Sequence, residues 1–148
     1  MKALLQRVTE ASVRIDGEVR GAIDAGLLVF LGLEPGDEAA RGEALIERLL
    51  NYRVFGDDEG RMNRSLRDVG GGLLLISQFT LAADTRRGLR PGFSTAMPPD
   101  EAEPLFNALY AFASSTHSPV AGGSFGADMK VSLVNDGPVT ILLESRRS

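Results

Sequence analysis

The order of hydrophobic and polar residues along the chain predicts several strands and two helices. Residues 12–15 and 18–23 alternate apolar with polar side chains and flank Asp16-Gly17, a dipeptide typical of a two-residue hairpin turn. They therefore predict a pair of antiparallel strands. Residues 27–33 form a continuous apolar run, which fits a strand covered on both faces or a buried turn of helix. We interpret this run as a central strand.

Two later segments have the period of an amphipathic helix. Asp37 can cap the first helix, whose apolar face would consist of Leu45, Ile46, Leu49 and Leu50. The second helix is predicted to begin near Asp100, which places Pro104 in its first turn, where the missing N–H donor is tolerated. Its apolar face would consist of Leu105, Phe106, Leu109, Tyr110 and Phe112. Both patterns indicate helices that pack on a core.

A turn and a further strand are predicted between the two helices. Residues 56–60 are rich in glycine and aspartate and predict the turn, while the glycines at 70–72 lead into an apolar strand at 73–77. The glycines are not a phosphate-binding loop, because no Gly-Lys-Ser/Thr follows them. No repeat or linker divides the chain. We therefore predict a single domain over residues 1–148, of the mixed α/β class, with a layered mixed β-sheet or barrel-like β core and two packing helices.

A proline interrupts the last apolar run. Residues 131–143 have the composition of a strand on both sides of Gly137-Pro138. Because proline has no backbone N–H, it is excluded from a paired central strand. The dipeptide therefore either breaks the run at a turn between two strands, which Asn135-Asp136-Gly137 suits, or forms a specific backbone feature such as a cis peptide bond whose carbonyl groups point at a ligand.

Composition and charge exclude several kinds of chemistry. The chain has no cysteine, which excludes disulfides and thiolate chemistry, and its single histidine, His117, fits a helix cap or surface position. We expect no metal and no cofactor. No apolar run approaches the ~18 residues of a membrane span, so we expect a cytoplasmic protein with no membrane partner. The net charge of -4 means that a polyanion would have to bind to a local basic patch.

Polar side chains follow the strand predicted at residues 73–77. This strand end carries hydroxyl, amide and aromatic groups from Ser77, Gln78, Phe79 and Thr80. Such groups are candidates for an active site, although Ser77 and Thr80 could also only satisfy backbone groups at the strand terminus. The loop that follows contains a basic cluster, Arg86, Arg87 and Arg90. The cluster suits phosphate contacts, although an arginine run is more often a solvated loop.

Two of these segments resemble the signature motifs of one enzyme family. Residues 77–81, Ser-Gln-Phe-Thr-Leu, together with residues 135–140, Asn-Asp-Gly-Pro-Val-Thr, resemble the motif pair of the D-aminoacyl-tRNA deacylases, the D-tyrosyl-tRNA deacylase family. Residues 5–13, 70–93 and 125–131 also resemble that family, so the resemblance covers essentially the whole chain. The one departure inside a motif is Ala82, where some members carry tyrosine.

The resemblance implies a homodimeric hydrolase that cleaves the ester between a D-amino acid and tRNA. Gly137-Pro138 would be a cis dipeptide that enters the pocket of the partner subunit, where its carbonyl oxygens would bind the substrate's α-amino group. An L side chain would collide with this backbone. Glycyl-tRNA would also be accepted to some extent, because exclusion by collision cannot detect a missing side chain. The expected partner is the aminoacylated 3′ end of tRNA.

The resemblance also implies roles for individual residues, with two possible mechanisms. Thr80 could be a nucleophile, but the sequence offers no histidine nearby as a base. In the mechanism that we prefer, the 2′-hydroxyl of the terminal adenosine assists water, and backbone N–H groups around Phe79 and Thr80 stabilise the oxyanion. Ser77, Gln78 and Thr80 would shape the pocket and hold the adenosine.

Three further residues are placed by the resemblance outside these motifs. Arg7 would hydrogen-bond to the Gly137-Pro138 segment and restrain it. Phe125 and Met129 would line the adenosine side of the pocket, with ordinary core packing as the alternative. Two other functions also fit the sequence: a non-catalytic module that binds acylated RNA ends, and a threonine-dependent esterase of small molecules.

Overall fold

The computed structural model describes residues 1–145. Its strands are β1 (Lys2–Ile15), β2 (Glu18–Ile23), β3 (Gly26–Gly32), β4 (Phe55–Gly56), β5 (Met62–Arg64), β6 (Gly72–Ser77), β7 (Val120–Gly122) and β8 (Lys130–Glu144). Its helices are α1 (Ala39–Asn51), α2 (Leu66–Val69), α3 (Pro99–Thr116) and a 3₁₀ helix (Phe79–Ala82). These elements give the mixed α/β class that the sequence predicts.

Six strands form one curved, mixed sheet. The order is β2-β1-β3-β6-β7, with β8 paired to β1 as well. Strand β1 is antiparallel to all its neighbours, whereas β3, β6 and β7 run parallel. The ends of the sheet approach each other: a Cβ atom on Gly21 of β2 would lie 2.6 Å from the carbonyl oxygen of Gly122 in β7. The sheet is therefore a nearly closed barrel, and the predicted barrel-like core is confirmed.

The locally encoded elements lie where the sequence predicts them. Asp16 and Gly17 connect β1 to β2 with φ angles of 51° and 78°, the left-handed backbone of a tight hairpin turn. Strand β3 is central, between β1 and β6, and its apolar side chains are buried. Helix α1 buries the predicted face, and α3 buries Phe106 and Leu109 against it. The core between these two helices and the sheet holds the elements around the site in place.

The helix boundaries differ from the predictions. Helix α1 begins at Ala39, and Asp37 is not its cap; the Asp37 carboxylate instead accepts hydrogen bonds from the Glu34 N–H at 2.8 Å and from Arg41 at 3.3 Å. Helix α3 begins at Pro99, so Pro104 lies inside the helix and not in its first turn. The reason is that Pro99 itself occupies the first helical position, where proline is favoured.

A third helix was not predicted. The four-residue helix α2 is too short to show an apolar face, but Ser65 and Asp68 form a capping box at its start, and Gly70 ends it in the left-handed conformation. His117, predicted at a cap or at the surface, is the C-cap of α3, and its backbone N–H donates to Ala113 O at 2.9 Å.

Strand β8 is one continuous strand, so the interpretation of Gly137-Pro138 as a turn between two strands is wrong. Val8 of β1 pairs with Asn135, and Gln6 pairs with Thr140, so residues 136–139 bulge out opposite Arg7. The bulge takes Pro138 out of the ladder, which explains how a strand can contain it. The Gly137-Pro138 peptide bond is cis.

Candidate active site

A cavity of about 710 Å³ lies beside the carboxyl ends of β3 and β6. Its walls come from the 3₁₀ helix, the segment that leads into α3, and the loop between β7 and β8. Five of the residues singled out from the sequence line it: Ser77, Gln78, Phe79, Phe125 and Met129. Most of the remaining lining is apolar, which suits a planar or hydrophobic ligand. Thr80, exposed, follows Phe79 in the 3₁₀ helix but is not part of the lining.

The path of the chain after β6 depends on Gly32. Ser77 pairs with Leu31 of β3, and the Gln78 N–H donates to Leu31 O at 2.8 Å. The chain then turns across the end of β3. A Cβ atom on Gly32 would lie 2.9 Å from the Leu81 Cβ and 3.0 Å from Gln78 O, so glycine is needed for this close approach. The turn places Phe79 at the cavity.

The Thr80 hydroxyl interacts with a hydrogen-bond donor. Gln78 Nε2 donates to Thr80 Oγ1 at 2.5 Å. A side-chain amide N–H cannot take a proton from a hydroxyl, so this contact orients Thr80 without activating it as a nucleophile. The N–H groups of Phe79 and Thr80 precede the first hydrogen bond of the 3₁₀ helix, from Leu81 N–H to Gln78 O at 3.2 Å. They are donors in a position to stabilise negative charge.

Phe125 and Met129 lie both in the cavity wall and against the hydrophobic core. Each side chain is half-buried and lines the cavity. The Phe125 ring also packs against Phe106 of α3, with centroids 6.2 Å apart, and the Met129 sulfur packs over the backbone of Gly123. The two residues therefore connect the cavity wall to the hydrophobic core.

Arg7 contacts the bulge in β8 directly. Its Nε donates to Asp136 O at 3.1 Å, and its Nη1 donates to Val54 O at 2.7 Å. Asn135 also holds the bulge, because its Oδ1 accepts from the Val139 N–H at 3.2 Å. Sequence reasoning missed this role of Asn135, although the residue belongs to the motif at 135–140. The bulge is thus fixed from both sides.

The predicted site residues fall into two separate groups on one chain. Gly137 and Pro138 are exposed, and neither they nor Arg7 line the cavity of the same chain. The structure therefore brings Ser77, Gln78, Phe79, Phe125 and Met129 together, and brings Arg7 together with the bulge, but it does not join the two groups. The family resemblance implies such a division, because it places Gly137-Pro138 in the pocket of the partner subunit.

The predicted arginine cluster lies on an exposed loop that leads to the cavity. Asp84 and Gly92 close the loop through paired backbone hydrogen bonds of 2.7 and 3.0 Å. Arg86 donates from Nε and Nη2 to the Asp84 carboxylate, both at 2.9 Å, and this lowers the pKa of Asp84 to about 2. Arg87 and Arg90 extend from the same loop into solvent. Phe93, which follows the loop and lines the cavity, was missed in the sequence because apolar lining has no motif of its own.

Two other kinds of site were sought over residues 1–145. No cluster of His, Cys, Asp and Glu within that range has the arrangement of a metal centre. None of the helices there combines the length and apolar character needed to cross a membrane.

Comparison with known proteins defines the class of this site. The profile of the family described as D-Tyr-tRNA(Tyr) deacylase matches residues 4–144. A D-aminoacyl-tRNA deacylase of Stutzerimonas stutzeri is 63% identical over 98% of this chain and 100% of its own length, and one of Pseudomonas aeruginosa is 62% identical over the same shares. These similarities identify an enzyme of the hydrolase class.

Two solved structures share the fold of this chain. A structure described as c-Myc DNA Unwinding Element Binding Protein has a TM-score of 0.94 and 41% identity, over 99% of this chain and 100% of that one. A probable eukaryotic D-amino acid tRNA deacylase shares the fold alone, with a TM-score of 0.83 at 12% identity over 96% and 97% of the two chains. The chain belongs to the D-aminoacyl-tRNA deacylase family.

Proposed function

We propose that the protein is a chiral proofreading enzyme whose active site is completed across a homodimer. It hydrolyses the ester between a D-amino acid and the 3′ end of tRNA. The cavity of one subunit holds the terminal adenosine, and the β8 bulge of the other subunit reaches the aminoacyl group. The observation that carries this proposal is the division of the site residues into two groups that one chain does not join.

The exposed position of the bulge supports the cross-subunit arrangement. Arg7 and Asn135 fix residues 136–139, yet Gly137 and Pro138 are exposed to solvent. Holding two exposed residues in one conformation costs conformational entropy without stabilising the core. That cost is explained if the bulge contacts a substrate that is held mainly in the cavity of another subunit.

Strand β8 provides a surface for the second subunit. Eleven of its 15 residues pair with β1 along one edge, and within residues 1–145 no strand pairs with its other edge. Its outward-facing Val134 and Leu142 are 49% and 47% exposed. A long, apolar, unpaired edge strand tends to associate with another chain. A homodimer formed through this face would also bring the bulge of one subunit towards the other.

Main-chain recognition accounts for the stereochemical selectivity. An enzyme that accepts many D side chains must bind atoms common to all of them, namely the α-amino group and the ester. Carbonyl oxygens of the bulge would accept hydrogen bonds from the α-ammonium group, while an L side chain would point into the same backbone and collide. Glycyl-tRNA has no side chain to collide and would be hydrolysed as well.

The hydrolysis itself needs little protein chemistry. An aminoacyl ester is intrinsically labile, so positioning contributes much of the rate. The 2′-hydroxyl of the adenosine would assist the attacking water, and the N–H groups of Phe79 and Thr80 would stabilise the oxyanion of the tetrahedral intermediate. Ser77 and Gln78 would shape the cavity around the adenosine. The donor contact from Gln78 to Thr80 favours this mechanism over attack by the Thr80 hydroxyl.

Hydrolysis assays with both stereoisomers test the proposal. We expect rapid loss of the ester from D-tyrosyl-tRNA, slower loss from glycyl-tRNA and only the uncatalysed rate with L-tyrosyl-tRNA. Tight binding of D-tyrosyl-tRNA without faster hydrolysis would instead favour a non-catalytic binding module. Equal rates for D-tyrosyl-tRNA and L-tyrosyl-tRNA would contradict stereochemical selection by the bulge.

A further inference from the structure

An exposed pair of aromatic rings lies at the mouth of the cavity. Phe79 and Phe93 pack against each other with ring centroids 5.0 Å apart, and both line the cavity. They remain 57% and 42% exposed, although phenylalanine is usually buried. Exposed rings beside a cavity provide a flat apolar surface on which another planar group can stack.

The loop at residues 84–92, which directly precedes Phe93, carries three arginines. The guanidinium group of Arg86 is held by Asp84, which leaves it a structural role in closing the loop. Arg87 and Arg90 are exposed, and no acidic side chain of residues 1–145 forms an ion pair with either of them. Asp84 and Gly92 close this loop immediately before Phe93, so the loop that carries both cations adjoins the aromatic pair in the chain.

The charges around the cavity restrict where a phosphate group can bind. The charged residues that line the cavity within the described part of the chain are Glu101 and Asp128, both acidic. Phosphate groups are therefore repelled from the cavity wall and attracted to the arginine loop. Exposed aromatic rings next to such a loop are the combination that binds single-stranded nucleic acid, with bases on the rings and phosphates on the cations.

We propose that Phe93, Arg87 and Arg90 bind the unpaired nucleotides that precede the terminal adenosine of tRNA. The Phe93 ring, supported by Phe79, stacks on the base next to that adenosine, and the two arginines bind the adjoining phosphates. This inference rests on the proposed function, in which the cavity holds the adenosine. These contacts are remote from the ester and bind the ground state and the transition state equally. They therefore lower KM for the full tRNA and do not change kcat.

Substrates of two lengths test this inference. Hydrolysis of D-tyrosyl-tRNA and of D-tyrosyl-adenosine, which lacks the preceding nucleotides, is measured for the wild type, Phe93→Leu, the double variant Arg87→Ala/Arg90→Ala, and the control Arg61→Ala. Arg61 is exposed in the hairpin of β4 and β5 and does not line the cavity. We expect the ratio of kcat/KM for the tRNA to that for the adenosine ester to fall roughly tenfold in the first two variants and to keep its wild-type value in Arg61→Ala.

Salt dependence supplies a second readout. If the two arginines bind two phosphates of a single strand, the slope of log affinity for uncharged tRNA against log salt falls by about 1.4 in the double variant. Phe93→Leu weakens binding without this change in slope. Wild-type values of both the ratio and the slope in the variants would overturn the inference, and so would an equal loss on both substrates.

The experiment separates this inference from the proposed function. If the wild type hydrolyses neither D-ester, the proposed function fails. Fluorescence anisotropy with uncharged tRNA then still decides the binding role of Phe93, Arg87 and Arg90, because affinity equal to that of the wild type in both variants would refute it. Thermal unfolding of each variant confirms that the fold is retained.

Discussion

Gly137 is the residue whose conformation the bulge depends on most. Its φ is 126°, a region that side chains with a Cβ rarely adopt, and a Cβ there would lie 2.8 Å from Arg7 Nη2 and 2.9 Å from Val139 Cγ2. The arginine that holds the bulge thus occupies the space that any side chain would need. A side chain at position 137 would therefore disturb both the backbone conformation of the bulge and the position of Arg7.

We therefore expect Gly137→Ala to impair both stability and selectivity. The strained backbone costs about 1–3 kcal/mol of unfolding free energy, and moving Arg7 releases the bulge, so D-ester hydrolysis falls or L-ester hydrolysis appears. Urea unfolding and the two-stereoisomer assay measure these effects. Gly60→Ala is the matched control, because Gly60 has φ of 79° with no atom within 4 Å of the added Cβ. A Gly137→Ala enzyme with normal rates and selectivity would contradict the role of the bulge.

Thr80 provides a second test at this scale. If its hydroxyl only orients groups at the cavity rim, Thr80→Val removes one hydrogen bond and kcat/KM falls about 3- to 10-fold. A nucleophile, in contrast, would be indispensable: activity would fall by several orders of magnitude, and an acyl adduct on Thr80 would be trapped in the wild type. Steady-state kinetics and mass spectrometry of the quenched enzyme distinguish the two. We expect the partial loss and no adduct.

Helices α1 and α3 contact each other at Gly42 of α1. Close packing requires glycine there, although glycine is unfavourable inside a helix. A Cβ on Gly42 would lie 2.5 Å from Leu109 Cδ2 and 2.6 Å from Leu109 Cδ1, and Leu109 is fully buried. Replacement of glycine by alanine inside a helix normally stabilises it by about 1 kcal/mol. At this position the new methyl group meets a side chain that cannot move into solvent.

We expect Gly42→Ala to destabilise the protein by up to about 2 kcal/mol, the overpacking cost less the gain in helix propensity. The double variant Gly42→Ala/Leu109→Val should lose less stability than the sum of the two single variants, because the shorter side chain makes room for the methyl group. A double-mutant cycle of urea unfolding energies measures the coupling. Additive effects of the two substitutions would show that these helices do not meet as described.

An ion pair connects all three helices. Arg67 of α2 donates to both carboxylate oxygens of Glu47 in α1, at 2.8 and 3.0 Å, and to Thr116 Oγ1 of α3. The hydrogen bonds from Arg67 lower the pKa of Glu47 from its ordinary 4.5. A carboxyl group whose pKa is lowered by folding stabilises the folded state above its unfolded pKa and loses that contribution as the pH falls.

We expect Arg67→Met to remove this pH-dependent contribution. The variant should be less stable than the wild type at pH 7. The difference should shrink as the pH falls from 4.5, the ordinary pKa that Glu47 has in the unfolded chain, through its lower pKa in the folded protein. Urea unfolding at several pH values measures it. Asp84, whose pKa is lowered by Arg86, is unaffected by the substitution, so its titration cancels in the comparison. A stability difference that is constant with pH would contradict the assignment to Glu47.

The elements that the sequence predicts are those encoded by neighbouring residues. Asp16-Gly17 specifies its hairpin locally, and the apolar face of α1 follows from its spacing. The bulge at 136–139 depends on pairing with Arg7, more than a hundred positions earlier in the chain, so a local pattern cannot distinguish it from a turn. Helix α2 is too short for an apolar period, although the spacing of Ser65 and Asp68 was a usable signal.

The members of the candidate site were predictable, whereas its division between two subunits was implied by the family resemblance and not by the residues alone. The resemblance at residues 77–81 and 135–140 identifies the motifs, and polar side chains at the end of β6 point to the same place. Nothing in either motif shows that the cavity and the bulge are separate on one chain, because that follows from how β8 crosses β1. Phe93 could not be identified from the sequence either, since its exposure is a property of the folded surface.

At the scale of the whole molecule, a site shared between two subunits can be distinguished from a site within one chain by mixing two defective variants. A variant altered in the bulge, Pro138→Ala, and a variant altered in the cavity, Gln78→Ala, would each form homodimers in which both sites are defective. In a mixed dimer, one site combines both altered parts, and the other combines an intact cavity with an intact bulge. Mixing the two weak enzymes should therefore restore activity.

We expect an equal mixture, after subunit exchange, to reach about a quarter of the wild-type activity, because half of the dimers are mixed and each has one intact site. The D-tyrosyl-tRNA assay before and after exchange measures the gain, and sedimentation or scattering establishes the dimer. Mixing each variant with itself is the control and should restore nothing. If the cavity and the bulge acted within one chain, every subunit in the mixture would carry a defect, and activity would stay at the level of the separate variants.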